Sequence, residues 1–365
     1  MRLLHGADNA AHVSIPSEKN PITADAPESG QQGRTDRRAD VPSGAPRNWT
    51  RTALRALLHY GGSALALAVL FRFLPGRQVL HALGKLPAGL WVAVIAGYLA
   101  THLLGVGKWR LMVNTAGAGL NYLQAARCYF AGLFGTLFLP SLIGGDVVRV
   151  ALAMRYGRTK AGVLLGSFLD RILDFTALVL LAALGALLAP TALERESRRV
   201  FLWVGAAAIA GLALVAIAGA LIPFRRLSFR MRRRAVSLRR AARSMAQRPR
   251  AAVAALSIGI VSQLSFISLS VALAEACGLR LVFRAWLFAW PIAKLSAAIP
   301  VTQGGIGVRE AALAGLLAPF GAPPALTVAA GLAWEAVVIS GALIGGAFAL
   351  AVGREMSRSR AAAQM

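Results

Sequence analysis

The sequence predicts an all-α polytopic membrane protein, with about six spanning helices and two re-entrant helical hairpins in an inverted repeat. Three observations carry that expectation. The 365-residue chain is 57% hydrophobic, and its mean hydropathy is +0.60. Runs such as "LWVAVIAGYLATHLLGVG" (90–107) and "VGAAAIAGLALVAIAGALI" (204–222) contain no Asp, Glu, Lys or Arg, and each is long enough for a helix to cross about 30 Å of hydrocarbon. One unusual motif occurs twice. "LPSLIGGDVVR" (139–149) and "IPVTQGGIGVR" (299–309) both read aliphatic-Pro-x-x-x-Gly-Gly-x-x-Val-Arg. A membrane β-barrel would alternate apolar and polar residues in short segments, and these runs do not.

Residues 1–52 are polar and rich in Pro, Ser, Gly and charge, with no apolar stretch of the signal-peptide kind. They read as a disordered cytoplasmic tail. The membrane domain then runs over 53–353. Its candidate segments are about 55–74, 87–107, 125–143, 161–190, 200–223, 251–277, 285–300 and 325–352. Between the halves, 53–223 and 251–353, lies segment 224–250, which carries eleven arginines and no acid. The positive-inside bias places it in the cytoplasm, where it can hold anionic lipid headgroups. Residues 354–365 form a second cytoplasmic tail. The net charge of +25 has its arginines clustered between apolar spans. That pattern is loop asymmetry in a multi-pass membrane protein rather than a nucleic-acid footprint.

Counting crossings singles out the repeated motif. Arg47, Arg51 and Arg55 place the N-terminal side inside, so one segment before the arginine-rich loop must fail to cross. Segment 125–143 is short and breaks at Pro140 and Gly144-Gly145, with basic flanks (Lys108, Arg110 and Arg127; Arg149, Arg155, Arg158 and Lys160). It is expected to dip in from the cytoplasm. Segment 285–320, broken at Pro300 and Gly304-Gly305, is expected to dip in from the other face. Both termini are then cytoplasmic. Paired Gly/Pro-interrupted segments in two halves point to a transporter-type binding site.

Backbone in lipid must be satisfied internally, so a re-entrant turn has to be buried in protein or line a wet cavity. Proline ends the incoming helix, and glycines allow the turn. The outgoing helices are expected to start near Asp146 and Gly307, with Arg149 and Arg309 in their first turns. A helix N-terminus with a guanidinium is an anion site. The competing reading is a glycine turn whose arginine pairs with a neighbouring acid.

Other intramembrane charges are candidates for the same site. In "FLDRILDF", Asp170 lies about 15 Å along its helix at 1.5 Å per residue, and Asp174 shares its face. Arg171 is close to Asp174. Each such charge costs roughly 2.5–3.5 kcal/mol at the membrane centre, so they must face the protein interior. They form either a structural ion pair with Arg149 or a polar path for a headgroup. Asp170, Asp174 or Glu335 could carry a proton. Lys294, Arg309, Glu310 and Glu335 play the comparable part in the second half. Gln303 offers an amide beside the glycines, and Glu310 suits a helix's first turn. Cys128 and Cys277 do not form a disulfide framework, and the five histidines form no ligand cluster, so neither metal nor cofactor is expected.

Together "FLPSLIGGDVVR", "SFLDRILDFTAL" and "IPVTQGGIGVREAALAGLLAPFG" resemble the membrane region of the lysylphosphatidylglycerol synthase family, also called flippase-like domain proteins. The resemblance covers about residues 55–352. Gly144, Gly145, Asp146 and Arg149 match its first motif, Asp170 and Arg171 its second, and Gly304, Gly305, Gly307, Arg309 and Glu310 its third. Where the family commonly has an arginine in the last span, "GLAWEAVV" supplies Trp334 and Glu335. In the multiple peptide resistance factors this region is associated with moving lysyl-phosphatidylglycerol between leaflets, while a separate soluble domain makes that lipid. The sequence here ends straight after the last span, so the synthase activity is not expected. The resemblance implies a lipid transporter for an anionic or modified lipid, of aminoacylated, polyprenyl or hopanoid type. Its alternative is a non-transporting partner of a lipid- or glycan-modifying enzyme. A glycosyltransferase is disfavoured because loop 75–86, "PGRQVLHALGKL", holds no acid, and an aminoacyl transferase would need the separate soluble domain. "GKWR" at 107–110 is no nucleotide-binding loop.

Overall fold

The computed structural model describes residues 76–138, 142–188, 229–297 and 306–362. Among them are ten α-helices and one 3-10 turn, and no strand. The first half holds α1 (Gly76–Gly84), α2 (Ala88–Thr115), α3 (Tyr122–Gly135), α4 (Leu142–Ala153) and α5 (Lys160–Leu188). Then follow α6 (Phe229–Ala246), α7 (Pro249–Ala276), α8 (Phe283–Ser296), α9 (Val308–Leu317) and α10 (Pro324–Ala362). The expected segments 55–74 and 200–223, and the tail 1–52, lie outside the described residues. So do Pro140, Pro300, Gln303, Gly304 and Gly305.

Among the described residues, four helices are long and apolar enough to cross a membrane: α2, α5, α7 and the Pro324–Ser359 stretch of α10. The helices between them are short. α3 and α8 have 14 residues each, a rise of about 21 Å, below the ~30 Å of a hydrocarbon core. α4 has 12 and α9 has 10. The order long, short, short, long therefore occurs in α2–α5 and again in α7–α10.

Packing follows the same pairing. α2 lies against α7. α5 lies against α8, and reciprocally α10 lies against α3. Within each half the short helices pack on each other, α3 on α4 and α8 on α9. Glycines permit the exchange between halves. A Cβ on Gly185 of α5 would meet the backbone of Leu287 in α8 at 2.6 Å, and one on Gly346 of α10 would meet the Phe134 ring of α3 at 2.6 Å. The outward side chains are apolar, as a lipid-facing surface requires: Leu180, Leu184 and Leu187 on α5, and Leu343, Ile344 and Leu350 on α10, are exposed.

Local sequence explains where the elements start. Asn121 caps α3 by accepting from Gln124 N–H at 2.8 Å, while Gln124 Oε1 accepts from Asn121 N–H at 3.1 Å, a reciprocal capping box. Pro249 opens α7, where a missing N–H costs nothing. Gly307 precedes α9 with φ of 87°, a conformation glycine reaches without strain.

Three expectations are corrected. The outgoing helix of the first hairpin starts at Leu142, not near Asp146, so Gly144 and Gly145 are helical. They do not make the turn. A Cβ on Gly145 would lie 2.5 Å from the Gly132 carbonyl oxygen, so this glycine serves close helix approach instead. Arg149 consequently lies about two turns into α4 rather than in its first turn. Lys108, read as a loop charge, belongs to α2, which continues to Thr115. Segment 224–250 contains a helix, α6, and loop 75–86 contains α1, whose Val79 and Ala82 pack on Cys277, Ala325 and Ala329.

Candidate functional site

The long helices and both pairs of short helices surround a cavity of about 520 Å3. Its charged lining comes from α2 (Lys108), α4 (Asp146 and Arg149), α5 (Arg171 and Asp174), α8 (Lys294), α9 (Arg309) and α10 (Glu335). Tyr98, His102, Tyr129, Phe266, Trp290 and Trp334 supply aromatic wall. Gly145 also reaches the lining. Asp170 and Glu310, 1% and 0% exposed, sit behind it.

In the first half, charge is arranged as a chain of shared pairs. Lys108 Nζ lies 2.8 Å from both Asp170 Oδ1 and Asp174 Oδ1. Arg149 Nη2 lies 2.8 Å from Asp146 Oδ1 and 3.6 Å from Asp170 Oδ2. Arg171 pairs with the second Asp146 oxygen. Three cations thus meet three carboxylates. Low dielectric makes an unpaired member expensive, and mutual pairing makes the set tolerable. The sequence places them by helical spacing. Asp170 and Asp174 share a face at i, i+4, and Lys108 lies on the buried stripe of α2 with Thr101, Gly105 and Met112. The Arg149 guanidinium stands 5.0 Å from the Trp109 ring centroid and 5.3 Å from that of Tyr129. Trp109 is held by donating to Ser167 Oγ at 3.0 Å.

The second half is more compact. Arg309 reaches Glu310 at 2.7 Å and Glu335 at 2.9 Å, and donates to the Gly331 carbonyl at 3.2 Å. Glu310 also accepts from Gly307 N–H at 2.6 Å, which satisfies a free donor at the α9 terminus. The packing needs Gly331, because a Cβ there would meet Glu310 Cγ at 2.8 Å. Lys294 stands apart. It donates to Gln263 Oε1 at 2.9 Å and lies 4.9 Å and 4.8 Å from the ring centroids of Phe266 and Trp290. Trp290 is held by Ser270 Oγ at 3.0 Å, as Trp109 is held by Ser167.

The halves share one device: the arginine of the short helix pair reaches an acid on the following long helix. Arg149 meets Asp170, and Arg309 meets Glu335. All four are among the residues singled out in the sequence. It missed Lys108 as a site residue, Gln263, and the aromatic wall. The stripe Tyr98, Thr101, Gly105, Lys108, Met112 along α2 was the available signal for Lys108. Among the described residues no group of three or more His, Cys, Asp or Glu is placed to hold a metal ion. Cys128 and Cys277 are free and buried.

An all-α bundle with, among the described residues, four membrane-length apolar helices around a largely apolar cavity that carries charged side chains defines a polytopic membrane protein of transporter-like build. The chain belongs to the lysylphosphatidylglycerol synthase family in its transmembrane region, whose family model matches residues 55–346. No curated protein matches the chain.

Proposed function

We propose that the chain moves a lipid with an anionic or modified headgroup between the leaflets of the bacterial inner membrane, with the headgroup held in the cavity during passage. The observation that supports this most is the meeting of charges from both short-helix pairs in one cavity. Its volume, about 520 Å3, falls in the 300–1,000 Å3 range of small-molecule sites, and its aromatic wall suits the apolar parts of a lipid. Intramembrane charge of this kind marks substrate pathways. The substrate-contacting set is taken to be Asp146, Arg149, Arg171, Asp174, Lys294, Arg309 and Glu335, with Gly145 at the lining. Asp170 and Glu310 hold the cations from behind.

The proposed topology is six spans and two re-entrant hairpins in an inverted repeat, within a membrane domain of 53–353. It is supported by the length of α3 and α8 and by the reciprocal packing of α5 on α8 and α10 on α3. The arginines of α6 and of the C-terminal end favour cytoplasmic termini. Lipids are the expected partners, and a lipid- or glycan-modifying enzyme would supply the modified headgroup. Purified protein in proteoliposomes should move fluorescent anionic or aminoacylated lipids faster than protein-free vesicles. An Arg149→Ala/Arg309→Ala variant, folded by its melting curve, should lose that movement. No movement of any headgroup by folded wild type would reject the reading.

A further inference from the structure

We propose that Lys294 receives the phosphate of the bound molecule, while the two hairpin arginines, already held in ion pairs, line the cavity beside it. The inference rests on the transport reading above and assigns its recognition group. Lys108, Arg149, Arg171, Lys294 and Arg309 are the basic residues that line the cavity. Four of them have a carboxylate partner: Lys108 with Asp170, Arg149 and Arg171 with Asp146, and Arg309 with Glu335. Among the described residues Lys294 has no acid within ion-pair distance. Its partners are a neutral amide and two ring faces.

An ammonium has three donors, and Gln263 takes one. Neither the amide nor the ring quadrupoles cancel the ammonium charge, and its electrostatic counter-charge, Asp174, is not in an ion pair with it, so an anion entering the cavity reaches this ammonium without first breaking an ion pair. Lys294 lies in the last turn of α8, where the helix dipole favours a positive charge. Trp290 and Phe266 form the wall beneath it, and Trp334 abuts both rings at 6.1 and 5.9 Å between centroids. A phosphate on Lys294 would therefore have apolar surface beside it for a glycerol or chain segment. A compact ammonium also suits a single phosphate oxygen, whereas a guanidinium fork favours the paired carboxylate geometry it already has. The phosphate can come from a phospholipid headgroup or from free phosphate.

The test is binding in detergent micelles to wild type, Lys294→Gln and Lys294→Arg. The probes are dioctanoylphosphatidylglycerol, dioctanoylglycerol and inorganic phosphate. Wild type should bind the phosphatidylglycerol and not the phosphate-free dioctanoylglycerol. K294Q should weaken that binding by about tenfold or more, the loss of one good charged contact, and K294R should restore most of it. The K294Q melting temperature without lipid should not fall below that of wild type, because an uncompensated charge has been removed. Competition by inorganic phosphate would make free phosphate a ligand, and its failure to compete would assign the site to lipid-borne phosphate; both uphold the proposal. Equal affinity of K294Q and wild type would overturn it, as would no phosphatidylglycerol binding by wild type. Lost binding with a lowered melting temperature and no rescue by K294R would also overturn it, making Lys294 structural. Translocation measured alongside separates the two readings. Lipid that binds through Lys294 but is not moved rejects transport alone, and movement untouched by K294Q rejects the Lys294 assignment alone.

Discussion

The two short-helix pairs solve the same electrostatic problem with different amounts of charge. In the first half, Lys108, Arg149 and Arg171 share Asp146, Asp170 and Asp174 across three helices. In the second, Arg309 is closed off by Glu310 and Glu335 on α9 and α10, and Lys294 rests on an amide and two rings. The first arrangement is a distributed network in which each member depends on others. The second is a local clamp plus one cation that, among the described residues, has no acid within ion-pair distance. The two halves thus differ in how charge is held: one shares it across three helices, and the other, on the reading proposed above, keeps one cation for recognition.

The largest effect should come from breaking the network at its shared cation. Lys108→Met leaves Asp170 and Asp174 without it, and should cost about 3–5 kcal/mol of stability, the usual result of orphaning a buried charge. Thermal unfolding in detergent would measure it. Adding Asp174→Asn should recover part of the loss, since coupled residues are not additive. Next comes the contact that brings α3 and α4 together. Gly145→Leu places a Cβ 2.5 Å from the Gly132 carbonyl oxygen, and overpacking of this kind costs about 1–3 kcal/mol. Gly107→Ala, where nothing lies within 4 Å, should be neutral or stabilising by about 0.5–1 kcal/mol.

The clamp should be less fragile than the network. Glu335→Gln leaves Arg309 with Glu310 and the Gly331 carbonyl, so about 1–2 kcal/mol is expected in the same unfolding measurement. A loss equal to that of Lys108→Met would erase the contrast between the halves. Arg171→Gln should have the smallest effect, about 1 kcal/mol, because Asp146 keeps its ion pair with Arg149.

Much of this architecture was legible in the sequence. The long apolar runs marked α2, α5, α7 and α10, and the duplicated Pro/Gly-Gly/Arg motif located both short-helix pairs. The motif misled at one point. Gly144-Gly145 reads as a turn because glycine disfavours helix, yet α4 includes both, since Gly145 is needed where two backbones touch. In the second copy the helix starts where it was read to, with Gly307 at positive φ and Glu310 on its N–H, while Pro300 and Gly304-Gly305 lie outside the described residues. Lys108 escaped because a lysine after an apolar run looks like the end of a span. Only its place on the buried face of α2 separates it from a loop charge. Gln263 and the aromatic wall escaped for another reason. In a chain this apolar, a glutamine or tryptophan acquires meaning only from which helices meet, and the exchange of α5 onto α8 and α10 onto α3 is a long-range outcome no local pattern encodes.

The most direct test of the central claim is to obstruct the cavity within one preparation. In a Cys128→Ala/Cys277→Ala background, Ser262→Cys places a thiol on the cavity lining. Lipid translocation would be recorded in the same proteoliposomes before and after labelling with a bulky maleimide, with labelling confirmed by mass. The account predicts that headgroup-dependent movement stops upon labelling. Movement continuing at its original rate in fully labelled protein would contradict the cavity as the route.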